Sequence, residues 1–125
     1  MTFGMISADD IREMAVALLN RNSLMARALV QEALRGNPDV HDWPEPSSDD
    51  LQVRAIAASV VELLAARAGQ KAPLWSEHVE SLDSPMYLLA EAATMPSVRH
   101  LCDTEAPPQL RKRGFLAPPN FLTFA

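Results

Sequence analysis

The chain has 125 residues, a formal net charge of −5, 48% hydrophobic residues and a single cysteine. That length suits one domain around one core. The acidic balance disfavours sequence-independent nucleic-acid binding, which draws its affinity from neutralised phosphates, and the lone Cys102 excludes an internal disulfide. The acidity is uneven: residues 1–50 carry nine Asp/Glu against four Lys/Arg, whereas residues 51–125 carry seven of each. The N-terminal MTFGMISADD has neither a basic stretch nor a long apolar stretch. No apolar run approaches the ~18 residues of a membrane span, so no membrane role is expected and the expected compartment is the cytoplasm.

Nineteen alanines and sixteen leucines outnumber the fifteen Val, Ile and Thr residues, a mixture that loses little entropy in helices. Ser7, with Asp10 three residues on, forms an approximate capping box. Ile11, Met14, Ala15, Leu18 and Leu19 then repeat on one helical face, predicting a helix over 8–20. A second helix is expected over 23–35 with Leu24, Ala28 and Leu29 inward, stopped by Gly36-Asn37-Pro38. Residues 36–48, GNPDVHDWPEPSS, hold three prolines around Trp43 and read as a loop. The helix predicted over 49–68 is apolar nearly all round, leaving a narrow polar stripe of Gln52, Ser59 and Glu62. A helix of that kind is the one its neighbours surround.

Beyond Gly69 the pattern shortens. Pro73 suits the first turn of a helix over 74–82 through Leu74, Trp75, Val79 and Leu82, and Ser84-Pro85 that of a helix over 85–94. A further short helix is expected over 97–103, then a single turn from Gln109 to Arg113 ended by Gly114. No strand pair is evident. The reading is an all-α, single-domain bundle of five or six helices with an extended tail over 114–125.

Residues with chemical potential have structural explanations. Positions 100 and 102 lie about 200° apart on a helix, so His100 and Cys102 do not form a base and nucleophile pair. His41 and His78 lack the spacing that sets two ligands on one helix face, and the aspartate pairs 9–10 and 49–50 sit where helix starts favour acidic side chains. The four glycines are scattered. No catalytic residue, cofactor site or metal site is expected, and the protein is not expected to be an enzyme.

The sharper lead is the C-terminus. GFLAPPNFLTFA has no charged side chain, holds three of the four phenylalanines and follows the basic triplet Arg111, Lys112 and Arg113. So apolar an end requires a docking place on its own core or on another molecule. Trp43, Phe115, Phe121 and Phe124 lie in irregular, proline-flanked segments, an arrangement used by binding anchors. With Arg111, Lys112 and Arg113 they form the candidate partner-binding set. The alternative reading is a nucleic-acid-binding accessory protein that uses the triplet on phosphates and stacks Phe115 on a base; a second copy of the chain is also an admissible partner.

The stretch from Leu51 through LLAARAGQKAPLWSEHV, SPMYLL and APPQLRKRGFLAPPNFL, about residues 51–122, resembles a helical domain of bacterial antitoxin-like proteins. That domain often stands behind a helix-turn-helix or beside a nucleotidyltransferase-type toxin. The resemblance rests on the alanine-rich helix ending Arg67-Ala68-Gly69, the Pro73-x-Trp75 step and the run from Pro108 to Phe115. It implies a bacterial, non-enzymatic protein that recognises a cognate protein. The expected mechanism is occlusion, with the apolar tail and the Trp43 loop docked in a partner's groove and the basic triplet on acidic groups at its rim. No helix-turn-helix is recognisable here, so DNA binding is not implied.

Overall fold

The computed structural model describes residues 6–123. They are mostly helical: α1 (Ala8–Leu19), α2 (Ser23–Ala33), α3 (Leu51–Arg67), α4 (Pro96–Glu105) and α5 (Pro108–Arg111), linked by 3-10 turns. Against expectation there is one strand pair, β1 (Met86–Tyr87) with β2 (Phe115–Leu116), two residues long and parallel.

α1 begins with the capping box: Asp10 N–H donates to Ser7 Oγ at 3.1 Å and Ser7 N–H to Asp10 Oδ2 at 2.9 Å. It buries Ile11, Met14, Ala15, Ala17 and Leu18, the predicted stripe with Ala17 added and Leu19 at its edge. α2 starts on Asn22, whose Oδ1 accepts from Met25 N–H. Its inward face corrects the expectation, because Ala26 and Val30 are buried while Leu24 and Ala28 are exposed and Leu29 is half-buried. Positions 26 and 30 share a helix face roughly opposite position 24, and a small alanine there lets α2 lie close to its neighbours.

α3, capped by Asp50 Oδ1 at Gln52 and Val53, is the centre. Its buried run from Ala55 to Ala65 includes the polar Ser59 and Glu62, and it packs on α1, α5 and two 3-10 turns. It ends at Gly69, φ +69°, with Gln70 N–H donating back to Ala65 O and Gly69 N–H to Ala66 O, the two bonds of a Schellman end.

The loop over 36–48 is pinned down. Gln70 accepts from Val40 N–H and donates to Pro38 O, His41 Nδ1 donates to Ala72 O, and Trp75 Nε1–H donates to Trp43 O at 2.8 Å.

The helices expected over 74–82 and 85–94 are not formed. The first is a 3-10 turn over Leu74–His78, and the second is β1 followed by a 3-10 turn over Ala90–Ala93. In both segments a distant residue takes over hydrogen-bonding groups that a helix would have used. Arg113 binds the carbonyls of Ser76 and Val79, and Met86 and Leu88 N–H donate to Gly114 and Leu116 O. Gly114 permits this approach: its φ is +92°, and an added Cβ would lie 3.4 Å from Leu82 Cβ and 3.6 Å from Ser84 O. No helix among the described residues is long and apolar enough to cross a membrane.

Candidate functional site

The basic triplet and the tail, read as partner-facing, are held within the chain. Glu62 sits mid-way along α3, 8% exposed, and Arg113 is 4% exposed. Arg113 forms a two-pronged bridge, Nη1 to Oε1 at 2.5 Å and Nη2 to Oε2 at 3.2 Å, while its Nη2 also reaches Ser76 O and its Nε Val79 O. Lys112 Nζ is 2.9 Å from Glu62 Oε1, and the single Ser76 hydroxyl proton lies between Glu62 Oε2 and Pro73 O.

Burial pushes the Glu62 carboxyl upward, but the hydrogen bonds and charges of Arg113 and Lys112 outweigh it and hold the group below its ordinary value. No buried side-chain N or O among the described residues lacks a partner. Both carboxylate oxygens are occupied, and none of Glu62, Ser76, Lys112 and Arg113 lines either of the two depressions described below. The cluster is a clasp tying the C-terminal segment to α3.

Arg111 is exposed and donates to Asp103 O, joining α5 to the end of α4. Phe115 is fully buried, Phe121 and Trp43 are buried, and Arg67 reaches Phe121 O and Pro119 O from the end of α3. The burial of Trp43, Arg113, Phe115 and Phe121 corrects the expectation that they are displayed, since the chain's own core gives each aromatic ring and the guanidinium a complete environment. Lys112 and Arg111 are exposed but committed to Glu62 and Asp103, and Phe124 lies outside the described residues. Cys102 is the one core residue of α4, and burial, aided by Asp103, raises its thiol pKa, so the reactive thiolate is disfavoured.

The concave surface lies elsewhere, where α1 turns into α2 and the segment Pro118–Thr123 folds beside that corner. Between them is a half-open groove of about 260 Å³ with apolar walls that include Leu18, Ala26, Leu88, Phe121 and Leu122 and a mouth carrying Arg21, Asn22 and Arg27. Among the described residues no Asp or Glu lines it. A second depression of about 390 Å³ between α1 and α2 shares Ala17 and Asn22 with the first and is bordered by Met25. Met25 is 50% exposed, and Leu24, its neighbour in the first turn of α2, is 82% exposed.

The backbone at the groove is strained. Among the described residues three that are not glycine have positive φ, and two of them, Arg21 at +54° and Leu122 at +59°, line it. Arg21 occupies the left-handed position of a Schellman end, with Arg21 N–H donating to Leu18 O and Asn22 N–H to Ala17 O, the position that Gly69 fills at the end of α3. A non-glycine residue there costs about 1 kcal/mol or more, and such residues gather at ligand clamps.

Sequence reasoning missed this corner, because residues 21 and 22 fell between the helices expected over 8–20 and 23–35. It also treated Glu62 as part of a polar stripe. A lone carboxylate among apolar positions on every side needs a buried cation, and the triplet at 111–113 was the concentrated source of one.

No protein-family model, curated protein or solved structure matches the chain.

Proposed function

We propose that this protein is a non-enzymatic interaction module that binds a partner polypeptide over the α1–α2 corner. The observation that carries the reading is the groove itself: a preformed cavity with apolar walls and polar residues in its lining, among them Ser23, whose neighbours in α2, Leu24 and Met25, are exposed. Cavities of this kind are the default binding sites of a fold. An apolar surface that extends past the cavity mouth suits a partner larger than the cavity, with an anchor side chain inside and the exposed leucine and methionine covered around it. The more specific role, an antitoxin-like or accessory protein that occludes a cognate bacterial partner in the cytoplasm, rests on the sequence resemblance. The nucleic-acid alternative loses support because Arg113 is buried on the Glu62 carboxylate, which Lys112 also meets, so two of the triplet's three cations are engaged within the chain.

Site-specific photo-crosslinking in the native cell tests the reading. A benzophenone side chain in place of Leu24 is expected to give a discrete adduct with one polypeptide. The same group in place of Leu74, also exposed at 67% but outside the groove lining, is expected to give none. Equal adduct patterns from the two positions would contradict the proposal.

A further inference from the structure

The groove's chemistry narrows the class of segment it accepts. Its wall is apolar, and the charged side chains in its lining, Arg21 and Arg27, are both cationic. Arg21 uses its Nε on Tyr87 O at 3.1 Å, and its guanidinium makes no other hydrogen bond or ion pair among the described residues. The terminal amines of that exposed side chain therefore remain available to an acceptor, while the Nε bond to β1 fixes the guanidinium plane. A guanidinium so fixed is suited to a carboxylate, which it meets with two parallel bonds.

The strain is consistent with this. α3 shows that the chain closes the same helix end with glycine where only shape is required, whereas α1 closes it with an arginine held at φ +54°. Keeping the arginine places a cation at the groove in spite of the backbone strain, which its bond to Tyr87 O offsets.

We infer that the groove recognises an acidic apolar segment of a partner protein, one with an aliphatic or aromatic anchor beside a carboxylate: the anchor fills the cavity and the carboxylate binds Arg21. This rests on the interaction-module reading and adds the charge of the partner to it. The carboxylate contributes specificity by rejecting basic segments as much as it contributes affinity.

The test uses the full chain and three fluorescein-labelled synthetic peptides of alternating Leu with Glu, Gln or Lys, followed by fluorescence anisotropy and backbone amide shifts. The Leu/Glu peptide is expected to bind roughly tenfold more tightly than the Leu/Gln peptide and to weaken with added salt. It is expected to move the amides of Arg21, Asn22 and Leu122, and the Leu/Lys peptide is expected not to bind. In Arg21→Gln, with helical circular dichroism unchanged, the Glu-over-Gln preference should vanish. The salt titration of the unaltered protein gives a second readout that needs no variant.

Equal binding of the Glu and Lys peptides, a preference that survives Arg21→Gln, or shifts confined to residues away from the groove would each overturn the inference. Such a result alongside a specific adduct at position 24 leaves the partner-protein reading standing and removes only the charge rule. No adduct at position 24 together with an Arg21-dependent peptide response does the reverse.

Discussion

The clasp around Glu62 and the corner between α1 and α2 are built on opposite terms. At the clasp, one carboxylate meets two cations and a hydroxyl, the carbonyls of Ser76 and Val79 are taken up by Arg113, and the left-handed backbone positions nearby belong to Gly69 and Gly114. At the corner the left-handed positions belong to Arg21 and Leu122, a leucine stands almost fully in solvent, and the mouth carries cations without a lining carboxylate. The first region spends its polar groups on holding the C-terminal segment to α3. The second keeps exposed cationic and apolar side chains around a groove. The difference teaches where each region's sequence is constrained: by stability at the clasp and, on the function proposed above, by recognition at the corner.

Breaking the clasp should give the largest effect. Arg113→Ala leaves Glu62 buried with only Lys112 and strips two carbonyls of their donor, and removing one partner of a buried pair typically costs about 3–5 kcal/mol. We expect a urea midpoint lowered accordingly, with protection from hydrogen exchange lost first over Ser76 to Val79 and β2. Arg35→Ala, which breaks the exposed pair with Glu32, is the reference, with an expected change of about 0–1 kcal/mol. If the two variants lost the same amount, the distinction between a structural clasp and a surface pair would fail.

The same contrast appears in acid. Glu62 has a native pKa held below its ordinary value of 4.5, so the folded state favours the charged carboxylate more than the unfolded state does. Its contribution is then fully present above the ordinary carboxylate range and is lost as pH falls through the depressed native value. Stability measured from pH 7 downward should decline across that window, and Glu62→Gln should decline less steeply there, whatever its stability at neutral pH. Parallel pH profiles for the two proteins would show that the clasp's charge does not contribute to acid lability.

How far the sequence revealed the structure divides along the chain. α1 and α3 were legible because their hydrogen bonds close within the helix and their apolar residues repeat with its period: Ile11, Met14, Ala15 and Leu18 are all buried, and α3 is the surrounded element. Past Gly69 the helical signals at Pro73 and Ser84-Pro85 were real but local. They were overridden by partners far along the chain: Arg113 for Ser76 and Val79, and Gly114 and Leu116 for Met86 and Leu88. Such pairings leave no periodic trace. α2 failed more narrowly, since Leu24 and Leu29 outweigh Ala26 by hydrophobicity but Ala26 is the residue that fits a close helix contact. Of the apolar tail, Phe115 and Phe121 pack into the chain's own core.

The smallest effect should come from relieving the corner. Arg21→Gly removes a side chain from a left-handed position, which is worth about 1 kcal/mol or more, and also removes the bond from Nε to Tyr87 O, worth about 0.5–1.5 kcal/mol. The two nearly cancel, so the thermal midpoint should move little in either direction. Gly69→Ala, at the matching position of α3, introduces a Cβ at φ +69° into open space and has no bond to lose, so its cost is the backbone strain alone. Nearly equal stability for Arg21→Gly beside a clear loss for Gly69→Ala shows that the arginine is tolerated at that turn only because another contact offsets its strain. A large loss at Arg21 instead would make the Tyr87 bond a principal tie between α1 and β1, and the corner would then belong with the clasp as a structural joint.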